Sequence, residues 1–263
     1  MEVVNVKQLH PYRSDRTASR LGKLSPNLIT YHDPKSPAAE AFRSLRTNIG
    51  FADIDHDLKM LVITSPGPFD GKTTVASNFA ITMAKIDKKV LMIDCDLRKP
   101  RLHKNFGLNN DIGLTHILND MIVEGMPSTE FVKKVPLIDN LWVITSGFIP
   151  PNPTEVLASK KMENFLKQVQ KEYDLVILDT PPVASLTDAA ILGKQANGVV
   201  LVVSSGETEI EMALHAKQAL TNVDAKILGV VITKLEKGVS GYYYYYKNYN
   251  YNYYYYNNEN DDS

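Results

Sequence analysis

Residues 60–74 read MLVITSPGPFDGKTT, from Met60 to Thr74. An apolar run of strand length, Met60 to Thr64, enters a loop holding Gly67 and Gly71, and a helical pattern starts at once behind it. That order is what a phosphate-binding P-loop requires. Backbone N–H groups at the turn and helix start face the phosphates, a lysine reaches the β and γ oxygens, and the next hydroxyl can ligate Mg²⁺. Gly67, Asp70, Gly71, Lys72, Thr73 and Thr74 are therefore the candidate nucleotide-binding residues. The strict pattern places a glycine six positions before the lysine. Here Pro66 occupies that position and Gly67 follows it, so the loop takes its own path.

The same reading extends outward in both directions. Met60 to Ile63, Val90 to Ile93, Leu141 to Ile144, Leu175 to Leu178, Val199 to Val203 and Ile227 to Ile232 are continuous apolar runs, as strands covered on both faces should be. Helical stretches are expected between them over 73–85, 154–171, 187–194 and 208–221. Strand and helix in alternation predict an α/β fold with one doubly wound, mainly parallel sheet and right-handed crossovers. Residues 98–140 are less regular and should carry insertions or short helices. Upstream, Pro37 suits a first helical position, and Ala38, Phe42, Leu45 and Ile49 form one apolar stripe with Glu40, Arg43 and Arg46 on a neighbouring face.

Three acids end predicted strands beside the loop. Asp94 and Asp96 follow the second strand, one crossover beyond the P-loop helix, at the carboxyl edge where open α/β sheets bind ligands. Asp179 ends the run Leu175 to Leu178 and is followed by Thr180-Pro181-Pro182, which suits a Mg²⁺-holding role together with Thr73 and Asp94. Cys95 points away from its aspartate neighbours in an extended chain and reads as a buried small apolar residue.

The 263-residue chain has 29 Lys plus Arg against 30 Asp plus Glu, a balance that gives no reason to expect nucleic acid as a partner. One cysteine excludes an internal disulfide framework and a Cys-built metal cluster, and fits a reducing cytosol. The six histidines show no paired ligand spacing. No run approaches the roughly 18 apolar residues of a membrane span, and residues 1–11 lack the apolar core of a signal peptide. Any attachment to a membrane is expected to run through another protein.

Tyrosine is distributed abnormally. Of 14 tyrosines, 11 lie within 242–263: Tyr242, Tyr243, Tyr244, Tyr245, Tyr246, Tyr249, Tyr251, Tyr253, Tyr254, Tyr255 and Tyr256. That segment holds no aliphatic residue and is expected to be a disordered tail. Residues 1–35 are expected to form an extended arm, leaving 36–241 as the folded domain.

Gly71-Lys72-Thr73-Thr74, the segment from Leu91 to Pro100 and the segment from Val176 to Pro182 are similar to the Walker A, Walker A′ and Walker B elements of bacterial tyrosine kinases of the capsule and exopolysaccharide systems. Glu40-x-x-Arg43-x-x-Arg46 and the tyrosine cluster extend the resemblance from about residue 36 to the end. The chain resembles the Gram-positive type, whose catalytic chain is separate from a transmembrane adaptor. The resemblance implies a P-loop NTPase fold, ATP and Mg²⁺ as cofactors, and autophosphorylation of the tail. It also implies control of polysaccharide synthesis or export at the inner face of the plasma membrane. The partners it implies are the adaptor, a cognate phosphotyrosine phosphatase, polysaccharide-synthesis enzymes as substrates, and other copies of the chain. Glu40, Arg43 and Arg46 are the subunit contact it implies.

A tyrosine hydroxyl has a pKa near 10, so a group must receive or orient its proton, and Asp94 or Asp96 is the candidate, with Lys72 neutralising the transferred phosphate. Twenty-two residues reach at most ~75 Å, far enough to enter a neighbouring subunit's site. Full modification of the tail would add roughly −16 to −22 charges. The rival reading is an ATP-driven dimerising switch of the partitioning or septum-positioning kind. Those proteins carry a lysine five positions before the P-loop lysine, where this chain has Gly67. Thr233-Lys234-Leu235-Glu236 resembles a guanine-reading element with Glu in place of Asp, which leaves nucleobase contacts open.

Overall fold

The computed structural model describes residues 22–52, 58–119 and 131–235. Seven strands, β1 (Met60–Thr64), β2 (Val90–Asp94), β3 (Lys133–Lys134), β4 (Leu141–Ile144), β5 (Leu175–Asp179), β6 (Gly198–Ser204) and β7 (Ile227–Thr233), form one sheet in the order β3-β4-β2-β5-β1-β6-β7. Every neighbouring pair is parallel except β3 with β4. The six apolar runs are thus the six parallel strands. For β1 the lack of alternation has a direct cause, since Met60 and Val62 pack into one core layer and Leu61 and Ile63 into the other. The edge strand β7 departs from the expectation, because Val230 and Ile232 on one of its faces are exposed.

One layer is covered by α6 (Pro153–Ala158), α7 (Lys160–Glu172), α8 (Asp188–Gln195) and α9 (Ile210–Thr221). The other is covered by α1 (Ile29–His32), α2 (Pro37–Ala52) and α3 (Lys72–Ala84), and short α4 (Leu102–Phe106) and α5 (Leu114–Leu118) follow β2. The irregular stretch 98–140 therefore holds two short helices and β3, apart from 120–130, which lie outside the described residues.

Three expectations differ from the structure. The single helix over 154–171 is two helices, because Ser159 takes an extended conformation (φ −68°, ψ 153°) and its hydroxyl accepts from Met162 N at 3.2 Å as the cap of α7. The buried stripe of α2 runs through Ala39, not Ala38, with Ile49 buried and Phe42 and Leu45 half-buried. The described part of the expected arm, 22–35, is not extended. Leu28 is fully buried, Thr30 Oγ1 donates to Asn78 Oδ1 at 2.9 Å, and Asn78 Nδ2 donates to Asn27 O at 2.9 Å. Leu28 and Asn78 hold this segment against the helix that begins at Lys72, with Leu24 and Tyr31 packed against the same core and Lys85 Nζ donating to Thr30 O. Residues 1–21 and the tyrosine segment 242–263 lie outside the described residues.

Candidate functional site

β1 and β5 are bolted together where they end. Thr64 Oγ1 donates to Pro181 O (2.9 Å), Thr180 Oγ1 to Ile63 O (3.0 Å) and Val183 N to Ser65 O (2.8 Å). This fixes the start of the loop against Asp179. Within the loop, Ser65 Oγ donates to Gly67 O at 2.6 Å, and Gly67 N donates to Asp70 Oδ2 at 2.9 Å. Phe69 and Gly71 both have positive φ, 69° and 96°. Gly71 caps α3 in the left-handed conformation, and no side chain caps that helix start. The first amides of α3 have no intrahelical acceptor, so a 13-residue helix aims uncapped donors and its positive dipole end at the site.

Lys72 Nζ lies 3.0 Å from Asp96 Oδ2 and 3.4 Å from Thr73 Oγ1. Burial pulls its ammonium pKa down, but Asp179, Asp96 and Asp94 outweigh that and hold it above the ordinary value, so it stays charged. Asp94 is fully buried, with Oδ2 accepting from Leu102 N (3.0 Å) and Oδ1 from Asp96 N (3.2 Å). Burial first, then the Asp179 charge, push Asp94 well above the usual carboxylate range. Burial likewise raises Asp179, opposed by Lys72. Asp179 is fully buried and neither of its oxygens makes a hydrogen bond of good geometry, although the Thr73 hydroxyl lies near enough to draw its pKa down as a donor.

An unpartnered buried carboxylate costs several kcal/mol unless a cation or proton satisfies it. Beside an uncapped helix start and the Thr73 hydroxyl, Asp179 fits a divalent cation held jointly with phosphate oxygens. Among the described residues, no group of three or more His, Cys, Asp or Glu side chains is placed to hold a metal alone. The three acids expected around the loop therefore divide by partner: Asp96 bonds Lys72, Asp94 bonds backbone amides, and Asp179 bonds nothing.

Asp70 departs from a simple phosphate-facing role. Its carboxylate is 5% exposed and is spent on the Gly67 amide and the Thr208 hydroxyl (2.8 Å), so its side chain shapes the loop from within. Two further contacts have no local sequence signal. Arg98 Nε bonds Asp188 Oδ2 at 3.0 Å, and Thr154 Oγ1 donates to Asp188 Oδ1 at 2.6 Å, which ties the segment after Asp96 to the starts of α6 and α8. Arg98 lies in the Leu91–Pro100 segment, but its partners lie 56 and 90 positions away.

Glu40, Arg43 and Arg46 lie together on α2. Arg43 Nε donates to Glu40 Oε2 at 2.6 Å, Arg43 Nη1 to Pro34 O at 2.8 Å, and Arg46 Nη1 to Thr82 O at 3.2 Å. Thr82 sits ten residues beyond Lys72 on α3, about 15 Å along the axis, so this cluster meets the far end of the P-loop helix. The eleven candidate acceptor tyrosines lie outside the described residues.

A family model described as an AAA domain matches residues 67–229. The chain is 44% identical over 228 residues to the Tyrosine-protein kinase YwqD of Bacillus subtilis, covering 86% of this chain and 94% of that one. It is 36% identical to the Putative tyrosine-protein kinase CapB of Staphylococcus aureus, covering 86% and 97%. The structure matches that of the chimerical protein CapA2B2 with a TM-score of 0.76 at 38% identity, over 82% of this chain and 93% of that one. It matches the kinase domain of the Escherichia coli tyrosine kinase ETK at 0.74 and 32%, over 89% and 88%. A cell division ATPase MinD of Pyrococcus furiosus shares the fold at 0.53 and 24%, over 66% of this chain and 70% of that one.

Proposed function

The chain belongs to the bacterial tyrosine kinases of the capsule and exopolysaccharide systems, Gram-positive type, and from that premise we propose that it phosphorylates its own tyrosine tail, in trans within an oligomer. It is an ATP-using protein-tyrosine kinase. The observation that carries the reading of the site is Asp179: a buried carboxylate without a bonding partner, opposite a charged Lys72 at the start of an uncapped helix.

The residues divide the work as follows. Amides of Gly71 to Thr74 and Lys72 would hold the β and γ phosphates, with Lys72 exchanging Asp96 for phosphate oxygens. Thr73 and Asp179 would hold Mg²⁺, which would supply charge neutralisation on the transferred phosphoryl group. Asp96, freed of its lysine, and Asp94 stand at the same strand end to accept or orient the tyrosine proton. Burial and the Asp179 charge raise the proton affinity of Asp94 in the nucleotide-free site, and a cation on Asp179 would lower it by relieving that repulsion.

We also assign to the chain a transmembrane adaptor that orders the nucleotide loop, residence at the inner face of the plasma membrane through that adaptor, a phosphatase that reverses the modification, and polysaccharide-synthesis enzymes as further substrates. The CapA2B2 chimera joins two proteins in its name, which supports a partner for the catalytic chain. No helix among the described residues is long and apolar enough to cross a membrane. Glu40, Arg43 and Arg46 are proposed as the subunit contact, and each phosphate added to the tail increases charge repulsion within the assembly.

The test is incubation of the full chain with Mg-ATP and the adaptor's cytoplasmic segment, followed by mass spectrometry of the tail. Phosphate on several of Tyr242 to Tyr256 is expected. ATP consumption with an unmodified tail would replace this reading by a dimerising switch ATPase.

A further inference from the structure

Two hydroxyls from outside the nucleotide loop close it. Thr208 Oγ1, before α9, donates to Asp70 Oδ1 at 2.8 Å and accepts from Ser204 N at 2.7 Å. A hydroxyl has one proton, so accepting from Ser204 aims that proton at Asp70. Thr233 Oγ1, the last residue of β7, donates to Asp70 O at 2.7 Å. Its Cγ2 lies 3.4 Å from where a Cβ on Gly71 would stand. The acid, the carbonyl behind it and the left-handed glycine are all gripped by residues 138 and 163 positions downstream.

Local preference does not supply this geometry. Phe69 holds a positive φ that few residues with a Cβ adopt; the residue is 72% exposed, and its ring meets the Arg101 guanidinium at 5.5 Å from the ring centre, a surface contact that does little to keep the backbone there. Asp70 links the two halves of the loop by accepting from Gly67 N, but a carboxylate satisfied at one oxygen only can rotate away. Thr208 occupies the second oxygen and Thr233 fixes the backbone beneath it.

We propose that Thr208 and Thr233 are positioning residues for ATP binding, acting through Asp70 to hold the loop open to phosphate before the nucleotide arrives. The inference rests on the loop being the ATP site. It also gives Thr233 a task other than reading the base, since its one proton faces two backbone carbonyls, Asp70 O at 2.7 Å and the more distant Val203 O at 3.3 Å.

The experiment uses the full chain with four variants, Thr208→Val, Thr233→Val and the serine counterparts. Thr208→Val should raise the Kd and KM for ATP about tenfold, the scale of one lost charge-assisted hydrogen bond, and Thr233→Val about threefold to tenfold, the scale of a neutral one, with kcat at saturating ATP changed less than about twofold. The serine variants should stay within about twofold of the parent. Amide exchange across Gly67 to Gly71 in nucleotide-free protein should speed up in the valine variants alone. In an Asp70→Ala background, Thr208→Val should add less than about twofold, because its partner is gone. Where a valine variant does not fold, Asp70→Asn takes its place and should loosen the loop likewise. Valine or asparagine variants with unchanged affinity and unchanged exchange overturn the inference. So does an equal effect of Thr208→Val with and without Asp70. If the parent chain itself fails to bind ATP, the reading of the site has failed, and the exchange measurement still decides the clasp.

Discussion

Asp94 and Asp179 stand opposite each other on adjacent parallel strands, Cα partners in the register of β2 and β5, and both carboxyls are fully buried. Two like charges at that spacing without water cannot both be comfortable. The pair therefore binds protons or a cation, and Lys72 supplies only part of the compensation. This one register position links the stability of the sheet to the chemistry at its edge.

The first expectation concerns pH. Both carboxyls have folded-state pKa values raised above their unfolded ones, so they favour the folded state fully below the unfolded value, near 4. That contribution is lost as pH rises toward the folded-state values. Asp94→Asn removes the repulsion but sets an NH2 group against the Leu102 or Asp96 amide, so the check is the slope: its pH dependence between 4 and 7 should be flatter than that of the parent. A difference of about 1 kcal/mol across that range would appear as about 2–4 °C in thermal unfolding. An unchanged slope would mean that the pair does not titrate as described.

Lys72→Met should abolish tail phosphorylation, with a loss of at least about a hundredfold in rate. It should also destabilise the nucleotide-free protein by about 3 kcal/mol, because Asp96 loses its partner and Asp179 its nearest compensating charge. Calorimetry beside a phosphotyrosine assay separates the two effects.

Charge reversal of Arg43 and Arg46 should shift the sedimentation of the unphosphorylated protein toward smaller species. The bonds lost within the chain, to Glu40, Pro34 and Thr82, are exposed or half-buried and together contribute no more than about 1–2 kcal/mol. The variant should therefore stay folded. Sedimentation identical to the parent across a concentration series would remove these arginines from the subunit contact.

Gly113→Ala tests the packing of the insertion after β2. A Cβ at Gly113 would lie 2.1 Å from Thr145 O and 2.5 Å from Gly147 N, both backbone atoms that cannot swing aside. A loss of at least about 3 kcal/mol in chemical denaturation is expected, above the usual range for overpacking.

The parallel strands and the loop were legible because both depend on local pattern: unbroken apolar runs for a sheet covered on two faces, and glycine, lysine and hydroxyl in fixed order between strand and helix. The break between α6 and α7 was hidden by good helix formers on both sides of Ser159. The one hint is that buried Leu157 and Met162 are five apart, off the helical repeat. Leu28 gave no signal as an anchor because a single apolar residue has no period. That Lys72, Asp94, Asp96 and Asp179 lie at one edge of the sheet could be read from the order of motif and strand ends, yet their different partners follow from side-chain directions that spacing does not encode. Thr208 and Thr233 act across 138 and 163 positions, beyond any window.

Cys95 lies between the two aspartates of β2's end, wholly enclosed, its thiol pushed well above the usual range by burial and then by Asp94. It is the sole sulfhydryl of the chain. Alkylating reagents at neutral pH should pass the native protein by, so a serine near the C-terminus exchanged for cysteine would take a fluorophore at one place only, and the proposed approach of the tyrosine segment to a neighbouring subunit could be followed optically without first removing a native thiol.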